Sequence, residues 1–79
     1  MQKLELYFSP SCSYCLKVLN FMKQNSITIP LKNKNDEPNR QELVKIGGKP
    51  QVPCLIIDGE ALYESNDIIE WLKLNRAIK

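Results

Sequence analysis

Two cysteines three positions apart, Cys12 and Cys15 in Ser9-Pro10-Ser11-Cys12-Ser13-Tyr14-Cys15, are the side chains best equipped for chemistry. Such a pair holds a metal, staples a fold or exchanges disulfides. A structural zinc site takes four thiolate or imidazole ligands; this chain supplies three cysteines, one Cys-x-x-Cys and no histidine. The same absence removes every imidazole general base. A structural staple needs an oxidising compartment. The N-terminus, Met1-Gln2-Lys3-Leu4-Glu5, alternates polar and apolar residues without a signal-peptide core, so the reducing cytoplasm is the expected location. Redox exchange is therefore the favoured reading, provided the pair sits between a strand and a helix.

The flanking sequence predicts that placement. Leu4, Leu6 and Phe8 alternate with Glu5 and Tyr7, the period of a half-buried strand. After the turn at Ser9-Pro10-Ser11 the period changes. From Ser13 to Gln24, the residues Leu16, Val18, Leu19, Phe21 and Met22 form a helical face opposite Lys17, Asn20 and Gln24. Ile27, Ile29 and Leu31 alternate again, and Pro30 among them, lacking an N–H, predicts a strand at a sheet edge. Asp36 and Pro38 signal the start of a short helix through Leu43, Val44 and Ile46, and Gly47-Gly48 suits a left-handed helix end. Cys54 to Ile57 reads as a buried strand, Asp58-Gly59 as a hairpin turn, and Glu60-Ala61-Leu62 as the returning strand. Ser65 is the expected cap of a last helix that turns Ile68, Ile69, Trp71 and Leu72 inward. The order predicts an α/β chain of βαβ-α-ββα type, with a four-stranded mixed sheet and three helices. That is the minimal thioredoxin-like fold, here in one domain over residues 1–79.

Bulk properties fit this reading. An apolar share of 43% and a charged share of 25% are ordinary for a globular chain. A formal charge of +2 from scattered cations predicts no nucleic acid partner and no membrane surface. No apolar run approaches the ~20 residues of a membrane span. A monomer in the cytoplasm is expected.

In this arrangement Cys12 stands at a helix start and Cys15 in the first turn. Unpaired N–H groups and the positive end of the helix dipole favour thiolate over thiol at Cys12, and thiolate is the nucleophile of exchange. Cys12 is thus the expected attacking sulfur. Cys15, tucked beneath it, is the expected resolving sulfur.

The chain resembles the glutaredoxins, in particular short bacterial-type members, and its last third is similar to the N-terminal domain of glutathione transferases. The resemblance rests on "CSYC" at Cys12 to Cys15, "QVPCLIIDG" at Gln51 to Gly59 and "LYESNDIIEWL" at Leu62 to Leu72. It implies a glutathione-dependent thiol–disulfide oxidoreductase acting on protein disulfides and glutathione mixed disulfides. It also implies a cis bond before Pro53, which would turn the Val52 backbone toward an extended thiol peptide. Glu64-Ser65-Asn66-Asp67 would hold the γ-glutamyl group: the helix start takes its carboxylate, and Glu64 or Asp67 its ammonium. Tyr14 would cover the glutathione sulfur. Each feature also has a plainer explanation. Pro53 can simply begin a strand, Ser65 simply cap a helix, and Tyr14 pack on the surface.

Several positions depart from the usual glutaredoxin pattern. Ser9 stands where many members carry a lysine, Gln51 where threonine is usual, and Ser13 where the most familiar members have proline. Lys49 and Gln51 are the candidates to replace the missing lysine at the glycine carboxylate. Serine or glycine at the Ser13 place resembles members that hold a [2Fe–2S] cluster through the first cysteine and glutathione, so Cys12 is the one candidate metal ligand. A non-catalytic glutathione-binding module is a further rival, and a thioredoxin-reductase-type protein a rival reductant. Cys54 is read as a small buried hydrophobe and Trp71 as packing.

Overall fold

Alternation at Leu4–Phe8 does give a strand, β1, yet its two faces are not one wet and one dry: Leu6 and Tyr7 are both fully buried. The computed structural model, which describes residues 3–75, explains this by sheet order. β1 pairs in parallel with β2 (Leu31–Asn33) and antiparallel with β3 (Cys54–Ile57), and β3 pairs antiparallel with β4 (Glu60–Tyr63). The order β2-β1-β3-β4 leaves β1 and β3 central. Helices α1 (Ser13–Gln24) and α3 (Ser65–Leu74) pack against each other over one face, while α2 (Glu37–Gly47) lies against β2 and β4. The fold is the expected thioredoxin-like arrangement, with three helices and a four-stranded mixed sheet. Met1-Gln2 and the last four residues of the expected domain, Arg76 to Lys79, lie outside the described residues.

The core has two unequal parts. Leu6 and Leu55 from the sheet meet Val18 and Met22 of α1, Ile68 and Leu72 of α3, and Ile29. Across the sheet, Tyr7, Cys54 and Ile56 meet a single buried α2 side chain, Leu43. Val44 and Ile46 of α2 remain exposed. Trp71 packs at the margin of the larger part, as expected.

Three local expectations change. The second strand begins at Leu31, one residue after Pro30, because proline has no N–H for the ladder; the Pro30 carbonyl still accepts the Leu6 N–H at 3.0 Å. The strand does lie at the sheet edge. Leu16 is 48% exposed rather than inward, since Cys15, Val18 and Met22 form the buried stripe of α1. Glu64, not Ser65, occupies the N-cap position of the last helix and makes no side-chain cap bond, with Ser65 as the first helical residue. The other turns are as read: Gly48 ends α2 in the left-handed region at φ 88°, and Asp58-Gly59 turns the hairpin at φ 51° and 88°. Among the described residues, no helix is long and apolar enough to cross a membrane.

Candidate active site

β1 ends at Phe8, and the next three residues turn the chain into α1. Cys12 takes the cap position with extended backbone, and its Sγ accepts the Cys15 N–H at 3.3 Å, filling the place a Ser or Asp oxygen takes at other helix starts. The Cys12 N–H donates to the Ser9 carbonyl at 3.1 Å, and the Ser9 N–H donates to Cys15 Sγ at 3.4 Å. These three bonds tie both sulfurs to one loop. Both thiols are free; Cys12 is partly exposed and Cys15 wholly buried.

The two sulfurs therefore differ in chemistry. Burial pushes the Cys15 thiol up to about 12; the neighbouring Cys12 adds to this, and the Ser9 N–H and the Lys34 charge oppose it. At neutral pH Cys15 is a protonated thiol. Cys12 is only partly covered, with the Val52 carbonyl of the groove wall 3.9 Å from its Sγ, though Cys12 itself does not line the groove. Cys54, fully buried on the α2 side of the sheet, is raised to about 11, chiefly by burial.

A groove of about 380 Å³ opens next to this corner, lined by Tyr14, Gln51, Val52, Pro53, Glu64, Ser65 and Asn66. The seven residues come from the start of α1, the loop before β3 and the start of α3. The Val52–Pro53 peptide is cis, as the resemblance implies. Tyr14 is 65% exposed on the groove wall. Glu64 has φ 75°, ψ 117°, a backbone conformation costly for a residue with a Cβ, of order 1–3 kcal/mol. Positive φ at Glu64 turns the chain sharply from β4 into α3 and leaves Ser65 largely buried against the groove. Without a side-chain cap, the first N–H groups of α3 are left for another acceptor. Asp67 lies in the first turn of α3 but does not line the groove.

Lys49, the candidate replacement for the missing lysine, is committed elsewhere. Its ammonium sits 4.7 Å from the centre of the Tyr63 ring, and its carbonyl accepts the Tyr63 hydroxyl at 3.0 Å. Gln51 does line the groove. Ser9 is nearly buried, its hydroxyl 3.3 Å from that of Ser11. Two cations escaped the sequence reading. Lys17, seen there as part of a solvated stripe, donates to Asn66 Oδ1 at 2.6 Å and ties α1 to the groove wall. Lys34 stands beside the loop that carries the two cysteines, its N–H bonded to the Phe8 carbonyl at 2.7 Å. Neither has a local sequence signal, because both approach across the fold.

Comparison with known proteins agrees with the fold. Residues 6–77 match the family described as glutathione S-transferase, N-terminal domain. No curated protein matches the sequence. Among solved structures, a mutant of the thioredoxin-like protein BC3987 is 30% identical over 100% of both chains, with a TM-score of 0.78. Glutathione transferase Omega 3C from Trametes versicolor is 25% identical, covering 98% of this chain and 35% of its own, with a TM-score of 0.80. Human glutathione transferase theta-2, solved in complex with glutathione, shares the fold at 24% identity and a TM-score of 0.81, over 96% of this chain and 32% of its own. The chain spans about a third of each of these two transferases. The family match over nearly its whole length, on a thioredoxin-like fold, means that this chain belongs to the glutathione S-transferase N-terminal domain family.

Proposed function

We propose that this protein is a glutaredoxin-type thiol–disulfide oxidoreductase with glutathione as co-substrate, a monomer acting in the cytoplasm as one domain over residues 1–79. One observation carries the reading. A half-open Cys12 caps α1 with a buried, protonated Cys15 beneath it, beside a groove that ends at an uncapped helix start.

Cys12, as thiolate, attacks the glutathionyl sulfur of a protein–glutathione disulfide. The protein thiolate leaves and takes a proton from water, and Cys12 remains joined to glutathione. A second glutathione thiolate then attacks that sulfur, giving oxidised glutathione and free Cys12. Alternatively Cys15 loses its proton and attacks Cys12, releasing glutathione and leaving a Cys12–Cys15 disulfide for two further glutathiones to reduce. Burial disfavours the Cys15 thiolate, so the second glutathione is the faster route.

The groove residues divide the tripeptide between them. The N–H groups of Ser65 and Asn66 and the Ser65 hydroxyl receive the γ-glutamyl carboxylate, and Glu64 its ammonium. The Val52 backbone beside cis-Pro53 pairs with the cysteinyl segment as an added strand. Tyr14 covers the sulfur, and Gln51 serves the glycine end. This reading uses Cys12 as a nucleophile and requires no [2Fe–2S] cluster.

Initial rates with a glutathionylated peptide, glutathione and glutathione reductase test the assignment. Cys12→Ser is expected at background, and Cys15→Ser at half the wild-type rate or more. Turnover by Cys12→Ser would overturn it.

A further inference from the structure

Gly47 and Gly48 read together as a helix end, yet only Gly48 takes the left-handed region. Gly47, the last residue of α2, is needed for space, since a Cβ there would collide with the Tyr63 hydroxyl. The Tyr63 side chain therefore lies against α2, on the face of the sheet opposite α1 and α3. Two further contacts go to Lys49. The ammonium sits 4.7 Å from the ring centre, and the carbonyl accepts the hydroxyl at 3.0 Å.

That last bond holds a segment with little else to hold it. Residues 49–53 connect α2 to β3 and supply Gln51, Val52 and Pro53 to the groove. Pro50 and Pro53 have no N–H to donate. Among the described residues, no N–H or carbonyl of this segment bonds to other main chain. The Cys12 thiol reaches the Val52 carbonyl only at 3.9 Å. The Tyr63 hydroxyl is thus the one oxygen or nitrogen group hydrogen-bonded to the main chain of this stretch. Tyr63 also joins it to the opposite wall. It is the last residue of β4, pairs with Cys54 across the ladder, and precedes Glu64, where the chain turns toward Ser65 and Asn66.

We propose that Tyr63, which does not line the groove, is a positioning residue for it. This rests on the oxidoreductase reading above. The hydroxyl holds the Lys49 carbonyl, and so keeps the Val52 backbone and cis-Pro53 at the spacing from the start of α3 that glutathione spans. Without it the segment samples other positions. Only the fraction of molecules with the wall in place binds the tripeptide, and affinity falls by that fraction. The loss falls on binding, because Cys12 is held by α1 and keeps its reactivity once the disulfide is seated.

Tyr63→Phe keeps the ring and its cation contact and removes only the donor. With a glutathionylated peptide, KM is expected to rise about three- to fivefold, within what one neutral hydrogen bond supplies, and kcat to stay within about twofold. Replacing Tyr63 with p-aminophenylalanine restores a donor at the same ring position and should return KM to within about twofold of wild type. An unchanged KM in Tyr63→Phe overturns the positioning role. So does a lower rate at constant KM, which reports only lost folded protein, and so does a raised KM that the amine leaves unrestored. Amide spectra of the ligand-free protein need no turnover. The Gln51 and Val52 signals should shift and exchange faster with solvent in Tyr63→Phe, while those of α1 stay in place. That result supports the positioning role even if the wild type turns over no glutathionylated peptide, an outcome that would sink the oxidoreductase reading alone. Gln51 and Val52 signals unmoved by the substitution overturn it.

Discussion

The two faces of this sheet share four strands but differ in how they are covered. On the α1/α3 face, seven buried side chains from two helices, two strands and a loop form an apolar cluster with no titratable group. On the α2 face, one helix contributes only Leu43 as a buried side chain, Val52, Ala61 and Tyr63 are partly buried around it, and polar groups close the margin. There the Tyr7 hydroxyl donates to Glu42 Oε1 at 3.2 Å, Lys32 bridges Glu42 and Glu5 at 3.2 and 3.4 Å, and Lys49 lies over Tyr63. The better-packed face also carries the candidate chemistry, because α1 and α3 both start at one end of it and leave their N–H groups there. A rigid pair of helices under the site holds Cys12 and the groove in register, which a face closed by one leucine would do less well.

Cutting one leucine from each face tests the contrast most directly. Leu55→Ala is expected to cost about 4 kcal/mol and Leu43→Ala about 2–3, both within the range for buried leucines. The first removes a side chain enclosed by two helices, and the second one that borders exposed Val44 and Ile46. Urea unfolding reads the difference, and equal losses would mean that the faces carry equal weight.

A smaller effect is expected where α2 meets β4. A Cβ at Gly47 would run into the Tyr63 hydroxyl, with the ring Cζ only 2.9 Å away. Gly47→Ala should displace the ring and break its bond to the Lys49 carbonyl, a loss of about 1 kcal/mol partly offset by better helix propensity. Tyr63→Phe in the same chain should recover part of the loss. If Gly47→Ala is as stable as wild type, Tyr63 is free to move and α2 is more loosely held than the contact implies.

The buried thiols give the smallest effect, visible only in alkali. Folded-state values raised from 9.0 to about 12 for Cys15 and about 11 for Cys54 mean that the unfolded chain loses these protons first. The stability they contribute is whole below about pH 9 and is lost as pH rises through 11 and 12. Tyr7 and Tyr63, also raised by burial, act in the same sense above pH 10. Cys54→Ala should flatten the decline in stability, read by urea unfolding between pH 8.5 and 9.5, by under about 1 kcal/mol. An unchanged slope would mean that Cys15 and the tyrosines account for it alone.

Much of the fold was legible because its signals are local. Period two at Leu4–Phe8, period 3.6 from Ser13, Asp58-Gly59 and Gly47-Gly48 each act within a few residues, and each formed its element or turn. The failures are also physical. Leu16 and Leu31 are apolar at plausible inward positions, but Leu16 lies off the buried stripe of its helix and Leu31 on an edge strand with no cover. Ser65 looked like a cap until the backbone of Glu64 took the turn. Tyr7 looked half-exposed because alternation does not say whether a strand is central.

By itself, the sequence determined the order of elements, the strand-to-helix position of Cys12 and Cys15, and the residue types gathered around them. All of these follow from periodicity, turn chemistry and capping, which span one or two turns of chain. Only the tertiary structure decided that Lys17 reaches Asn66 across 49 positions, that Lys49 is spent on Tyr63, and that one hydroxyl holds the chain between α2 and β3. Such pairings depend on sheet order and helix packing, and a side chain's neighbours across the fold leave no mark on the residues beside it in the chain.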